Sequence, residues 1–280
     1  MIQRALDVTL EPVSHIYTDS QNIKYDSVTT IIKNYKEEFD PYKITREGRT
    51  LIANYVLEHG HTEEYWLNKW EKNRDTKANR GTEFHKQRED SNHRLTVKPR
   101  NMTLHNICDV ASQVANNPGM DYSQLKPGVY SELTIFNRQY KIAGQADEVI
   151  IYGDKTFDID DHKTNGDFTI RGFSKFYKGK RTYKTLLPPL TAFEDCHHKI
   201  YTLQLSLYAW MLEQFGLKCR NLRALHYMIS PEDEALLLQG IELSTVPPMT
   251  VYPLKYEKIA VERMIQDFVS KRDKNVQNHR

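Results

Sequence analysis

Cysteine is scarce. Cys108, Cys196 and Cys219 are the only three in 280 residues, and no two of them form a C-x-x-C pair. That spacing excludes a disulfide framework, a zinc ribbon and a four-cysteine iron–sulfur cluster. Long apolar runs are missing too: none approaches the ~20 residues a membrane helix needs. The opening MIQRALDVTLEPV lacks the apolar core of a signal peptide. The expectation is therefore a cytoplasmic, reducing compartment and no membrane partner. No internal repeat and no low-complexity linker interrupts the chain. Charge of one sign is not in excess, with 39 Lys and Arg against 37 Asp and Glu. With 39% hydrophobic and 27% charged residues the composition is that of a globular protein. The length suits one sizeable domain.

Patterning divides the chain into a mainly helical part, 1–126, a core, 127–273, and a frayed tail, 274–280. HIYT and NIKYDS predict a hairpin turning around 19–21, followed by a short helix from Ser27. Helices are expected at 46–58, from Thr62 (an N-cap followed by Glu63 and Glu64) toward Glu89, and at 104–116 before Asn-Pro-Gly. Residues 129–136, 140–152 and 155–164 read as strands. An apolar helix at 198–215, strands at 222–230 and 236–243, and a helix at 256–271 complete an α/β sandwich.

The densest chemistry is D158-I-D-D-H-K163, three aspartates and a lysine near the end of a strand that reads as buried. Such charge is costly in a sheet unless neutralised. Hard divalent cations bind oxygen, and carboxylates on adjacent strands make a natural site. Asp147 lies on the neighbouring strand and Glu132 on the one before. Gly144 would let a backbone or substrate approach closely. Register decides which aspartate meets Asp147. A two-residue loop at Gly153-Asp154 sets it opposite Asp160; a three-residue loop at Tyr152–Asp154, or one bulge, sets it on the face of Asp161 and Lys163. Lys163 shares a face with Asp161 rather than Asp160. A solvated strand end with a local Lys partner is the plainer reading of the same residues.

A second concentration of charge is R171GFSKFYKGKRTYK184, with six basic residues and no acidic one. Arg171, Lys175, Lys178, Lys180, Arg181 and Lys184 interleave with Phe173, Phe176, Tyr177 and Tyr183. Charges that track phosphates and rings that stack on bases are the composition of a single-strand contact surface. Arg74, Lys77 and Arg80 could extend it. Cys196-His197-His198 has no matching pair nearby for zinc, and Trp66 with Trp70 reads as core packing.

Taken together, G144-Q-A-D147 and D161-H-K163-T164 resemble the G-x-x-D…D-x-K-T signature of PD-(D/E)xK nucleases. R80-G-T-E-F-H85 resembles the G-x-x-x-H motif of their RecB-like branch, and Q204-L-S-L-Y208 its Q-x-x-x-Y helix. S27-V-T-T-I-I32 is similar to a segment of the mitochondrial genome-maintenance exonucleases and their phage relatives. The resemblance implies a restriction-endonuclease-like αβββαβ core and metal-dependent phosphodiester hydrolysis. It implies His85, Asp147, Asp161 and the backbone carbonyl of His162 as ligands of Mg²⁺ or Mn²⁺. Lys163 would position or activate water, Glu132 would reach a second metal, and Gln204 and Tyr208 would sit near the nucleic acid. No iron–sulfur cluster is expected. Asp160 departs from the pattern, standing where an apolar residue is usual, as a rival ligand or a supporting group.

The resulting expectation is a DNA exonuclease of replication, recombination or repair, acting on single-stranded or end-containing DNA. Recombination or replication proteins would be its partners, and a bacterial host cytoplasm its setting if phage-encoded. A structure-specific or restriction-type endonuclease is the alternative within the class. Outside it stands an inactive nucleic-acid-binding protein on the same fold.

Overall fold

The computed structural model describes residues 8–11, 16–42, 62–94, 125–177 and 179–278, and the helices expected at 46–58 and 104–116 lie outside them. Strands β1 (Val8–Glu11), β2 (Ile16–Asp19) and β3 (Lys24–Ser27) pair antiparallel in sequence. Asp19 organises the β2–β3 turn: its carboxylate accepts the N–H groups of Gln21 and Ile23, both at 2.9 Å, and the Tyr25 hydroxyl at 3.1 Å. Ser27 then caps α1 (Val28–Lys33), its Oγ accepting from Thr30 N–H at 3.0 Å. Helix α2 (Glu63–Arg94) starts after Thr62 as expected, and runs past Glu89.

The three expected core strands form a meander, β4 (Gly128–Asn137), β5 (Ile142–Ile151) and β6 (Thr156–Lys163). The basic stretch is a hairpin rather than a loop, with β7 (Ser174–Tyr177) and β8 (Lys180–Tyr183) forming a small sheet of their own. After α3 (His197–Glu213), β9 (Lys218–Tyr227) returns parallel to β6. The strand expected at 236–243 is not formed. Ser230 caps a helix there, α4 (Pro231–Leu238), with Pro231 and the acidic Glu232, Asp233 and Glu234 in its first turn. All are N-terminal helix signals. The strand that follows is β10 (Met249–Leu254), antiparallel to β9. Helix α5 (Lys258–Asn278) continues through most of the tail expected to fray.

The architecture is thus α/β, an open mixed eight-stranded sheet with helices. The order is β1-β2-β3-β5-β6-β9-β10, with β4 on the other edge of β5. One edge of β5 is shared. Its start pairs parallel with β3 (Asp26↔Ile142, Ser27↔Ala143) and its end antiparallel with β6 (Glu148↔Asp160 to Ile151↔Phe157). Residues 144–147 have no ladder partner on that edge. The β5–β6 turn is Gly153–Lys155, closed by Tyr152 N–H to Thr156 O at 2.9 Å, with Lys155 left-handed at φ +62°. Carried one residue on, this register sets Asp147 across from Asp161.

Helix α3 is buried from Thr202 to Leu212, between the sheet and helices α1 and α5. Leu203, Leu205, Leu207 and Met211 belong to a core shared with Ile135, Ile142, Ile159 and Val261. A smaller cluster joins Phe84 of α2 to Tyr227 and to Leu237 of α4. Arg272 of α5 ties the shared edge from behind, donating to Asp26 Oδ2 and to the Tyr140 carbonyl, both at 2.9 Å. Among the described residues no helix is long and apolar enough to cross a membrane.

Candidate metal centre

The unpaired stretch of β5 is where the charged groups converge. In the β4–β5 ladder Ser131 faces Glu148 and Leu133 faces Ala146, which leaves Glu132 across from Asp147. Glu132 is left-handed, with φ +50°, in the middle of a strand. Such a conformation costs about 1–3 kcal/mol and collects at functional sites. Gln145 Nε2 donates to the Glu132 carbonyl at 3.0 Å, replacing a bond of the ladder.

From α2, His85 reaches both acids. Its Nδ1 lies 3.7 Å from Glu132 Oε1 and 3.5 Å from Asp147 Oδ2. The three side chains offer one ligand atom each within 4.8 Å of one another, a set that could hold a metal ion. Burial alone would lower the His85 pKa, but Asp147 and Glu132 lift it to about 9. Two carboxylates that hold a proton on the imidazole offer the same attraction to a cation.

Asp161 is not a member of that set. It is 1% exposed, and its Oδ2 lies 2.6 Å from Lys163 Nζ. Its Oδ1 is buried without a hydrogen bond. Burial, with Asp147 adding to it, holds the Asp161 carboxyl above its ordinary range against the pull of Lys163. Burial opposes the charge on Lys163 too, but Asp161 and Asp147 keep its pKa above the usual lysine value. Lys163 is therefore an ammonium, and Nζ also lies 4.8 Å from the Tyr201 ring centre. The cluster thus takes Glu132 where the sequence motif points to Asp161, which stands alongside.

His162 contributes backbone. Its N–H donates to Asp147 Oδ2 at 2.6 Å. A strand residue's N–H and C=O point the same way, so its carbonyl faces the same opening. The ring is turned elsewhere, with Nδ1 3.1 Å from the Tyr227 hydroxyl. Burial, helped by the charges of His85, Arg88 and Lys163, holds its pKa down at about 3.

Asp158 and Asp160 serve the fold. Asp160 receives a two-pronged bond from Arg223, Nε at 2.6 Å and Nη2 at 2.9 Å. Asp158 accepts from the Tyr152 hydroxyl at 3.0 Å and Asn221 Nδ2 at 2.9 Å. Neither competes for the cluster.

Gly144 does leave room for a close approach, but a side chain of this chain fills it. A Cβ there would meet Tyr208 Cε1 at 2.5 Å and Val28 Cγ2 at 3.0 Å. Tyr208 is 2% exposed, and Gln204 is buried with it as a hydrogen-bond partner. Their place is beneath the site, supporting the strand, with no open surface for a nucleic acid.

The hairpin divides its basic residues. Arg171 Nε is 3.0 Å from Glu194, with its guanidinium 4.1 Å from the Tyr183 ring centre, and Lys184 Nζ is 3.1 Å from Asp195. Glu194 also accepts from Gly172 N–H at 2.8 Å, where a Cβ would stand 2.4 Å from the Lys184 carbonyl. These residues pin the base. Lys180 and Arg181 are exposed, Arg181 within 5.7 Å of the Phe176 ring centre. Phe173 and Phe176 are 71% and 72% exposed. The Lys175 and Tyr177 side chains and all of Lys178 lie outside the described residues.

Arg80 is buried, bonded to Glu234 and the Thr164 carbonyl, and so belongs to the fold. Arg74 is exposed beside Asp75 and Glu71. Thr169 takes up the start of α3: its Oγ1 accepts from His197 N–H and its carbonyl from His198 N–H, both at 3.0 Å. His197 Nδ1 in turn accepts from Thr169 N–H at 3.1 Å. In comparison with known proteins, no family model matches the chain and no curated protein matches it.

Proposed function

We propose that this chain is a divalent-metal-dependent nuclease, hydrolysing phosphodiester bonds from an end of single-stranded DNA. The observation that carries the reading is the His85–Glu132–Asp147 cluster standing beside a buried Asp161–Lys163 pair. Two carboxylates and an imidazole suit Mg²⁺ or Mn²⁺. The orphaned Asp161 Oδ1 is a further oxygen whose burial a cation would offset. The described elements from α2 to β9, with the hairpin and residues 95–124 set aside, run α-β-β-β-α-β, which agrees with a restriction-endonuclease-like core.

A cation held by His85, Glu132 and Asp147, with the His162 carbonyl beside it, would polarise a phosphate oxygen and lower the pKa of water. The chain's own part is electrostatic. Lys163, a cation rather than a base, stabilises negative charge on the phosphate as water oxygen bonds to phosphorus and the P–O bond opposite breaks, the water's proton passing to solvent and the leaving oxygen taking one up from it. Phe173, Phe176, Lys180 and Arg181 form a surface on which a strand would stack and run.

The test is a time course on end-labelled linear single-stranded DNA and a closed single-stranded circle, with Mg²⁺, with Mn²⁺ and with chelator. Loss of the linear strand alone, abolished by chelation and by Lys163→Ala, is the expected result. Cutting of the circle would make the protein an endonuclease. Binding without cleavage under either metal would make it a binding protein.

A further inference from the structure

Arg88 stands three residues after His85 on α2, so their side chains leave the helix on one side, about 5–6 Å apart at Cβ. Its charge is felt at two groups beside the cluster. It helps to keep His162 neutral and opposes the upward push of burial on the Tyr227 hydroxyl.

The other arginines around the core each have a carboxylate. Arg80 has Glu234, Arg171 Glu194, Arg223 Asp160 and Arg272 Asp26. Among the described residues Arg88 has none, and its Nε is buried without a hydrogen-bond partner. The residue as a whole is half-buried, and its guanidinium cannot shed its proton. The usual partner for a cation so placed is an anion, and the planar fork of arginine fits two oxygens of a phosphate.

We propose that Arg88 is a phosphate-binding residue of the site, its guanidinium engaging a backbone phosphate of a nucleic-acid strand held at the His85–Glu132–Asp147 cluster. The proposal rests on the nuclease reading and adds a contact that the sequence motifs do not contain. Lys163 comes from β6 and Arg88 from α2, so the phosphate meets cations from two separate elements.

The test is the affinity of the chain for 5′-phosphorylated tetrathymidylate in chelator, where no cleavage intervenes. Arg88→Ala is expected to weaken binding about tenfold or more, with Arg88→Lys between it and the wild type. The slope of log affinity against log salt should fall by about 0.7. The melting temperature of Arg88→Ala should hold or rise, since an unpaired cation is removed. Unchanged affinity in Arg88→Ala overturns the proposal, and so does a lowered melting temperature with the salt slope intact, which would return Arg88 to the fold. If the wild type cleaves DNA while Arg88→Ala binds as tightly as it does, this inference alone fails. If the wild type neither binds nor cleaves, both readings fail.

Discussion

Lys163 Nζ lies 2.6 Å from Asp161 Oδ2, and the two side chains are two residues apart on one face of β6. Each is the other's means of staying charged in the interior. Lys163→Met leaves a buried carboxylate without its cation and is expected to cost about 3–5 kcal/mol. Asp161→Asn added to it should recover a large part, because the uncompensated charge is then gone. Chemical denaturation of the wild type, both single variants and the double variant measures the coupling. Additive losses would mean that the pair is not a unit.

Metal should stabilise the fold through the cluster. At a cation concentration about 100-fold above its Kd the gain is about 2.7 kcal/mol. A thermal melt with Mn²⁺ is expected to show a rise in the wild type, little or none in Asp147→Asn, and a reduced one in His85→Ala. An equal rise in all three would place the ion elsewhere.

Gly144→Ala is expected to destabilise by about 1–3 kcal/mol, because the added Cβ has Tyr208 Cε1 at 2.5 Å and Val28 Cγ2 at 3.0 Å. The ring at Cε1 is the nearer obstacle and the Tyr208 hydroxyl, at 3.1 Å, the lesser one. Tyr208→Phe should therefore leave most of the cost in place and Tyr208→Leu should relieve more of it. Melting of the two double variants decides between ring and hydroxyl.

Asp19 makes the N-terminal hairpin acid-sensitive. Burial works against its charge, but the N–H groups of Ile23 and Gln21, the Tyr25 hydroxyl and Arg138 together hold its pKa below the ordinary value. A depressed folded pKa adds stability above the unfolded value, about 3.9, and loses it as pH falls through the folded one. Asp19→Asn should thus be less stable than the wild type at neutral pH. The gap should narrow below about pH 4. Denaturation midpoints between pH 2.5 and 7 would show a constant gap if the carboxylate is not the cause.

The hairpin should separate binding from folding. Lys180→Ala with Arg181→Ala is expected to weaken single-stranded DNA binding and flatten its salt dependence by about 1.4, at about 0.7 per phosphate contact, without a change in melting temperature. Arg171→Ala, which releases Glu194, should instead act on the melt. Anisotropy titrations at several salt concentrations, paired with melts, distinguish the two.

Much of this could be read from local patterns. Strands β4 to β6 fall within two residues of their expected bounds at both ends because β-branched and aromatic residues fill them, and the starts of α1 and α2 follow Ser27 and Thr62. The register could not be read, since it depends on Lys155 taking a left-handed conformation that its side chain does not announce. Leu236-Leu237-Leu238 reads as strand when the caps before it, Ser230 and Pro231, are given too little weight. β10 is short and carries Pro253, which only an edge position tolerates. At the site the strands that carry the charged cluster were legible. The filling of Gly144 by Tyr208, and the choice of Glu132 rather than Asp161, depend on distant packing and on one residue's backbone twist.

Arg272 draws together groups 246 and 132 positions upstream of it, Asp26 and Tyr140. Such separations make for late closure, since the long loop must be ordered before the contact gives anything back. A ribosome emits the two strands that border the charged opening well before it emits the residue that clamps them. The site would stay unassembled on a nascent chain until α5 has emerged, so a product truncated before that helix would carry every acidic side chain of the cluster and still lack the geometry that brings them together.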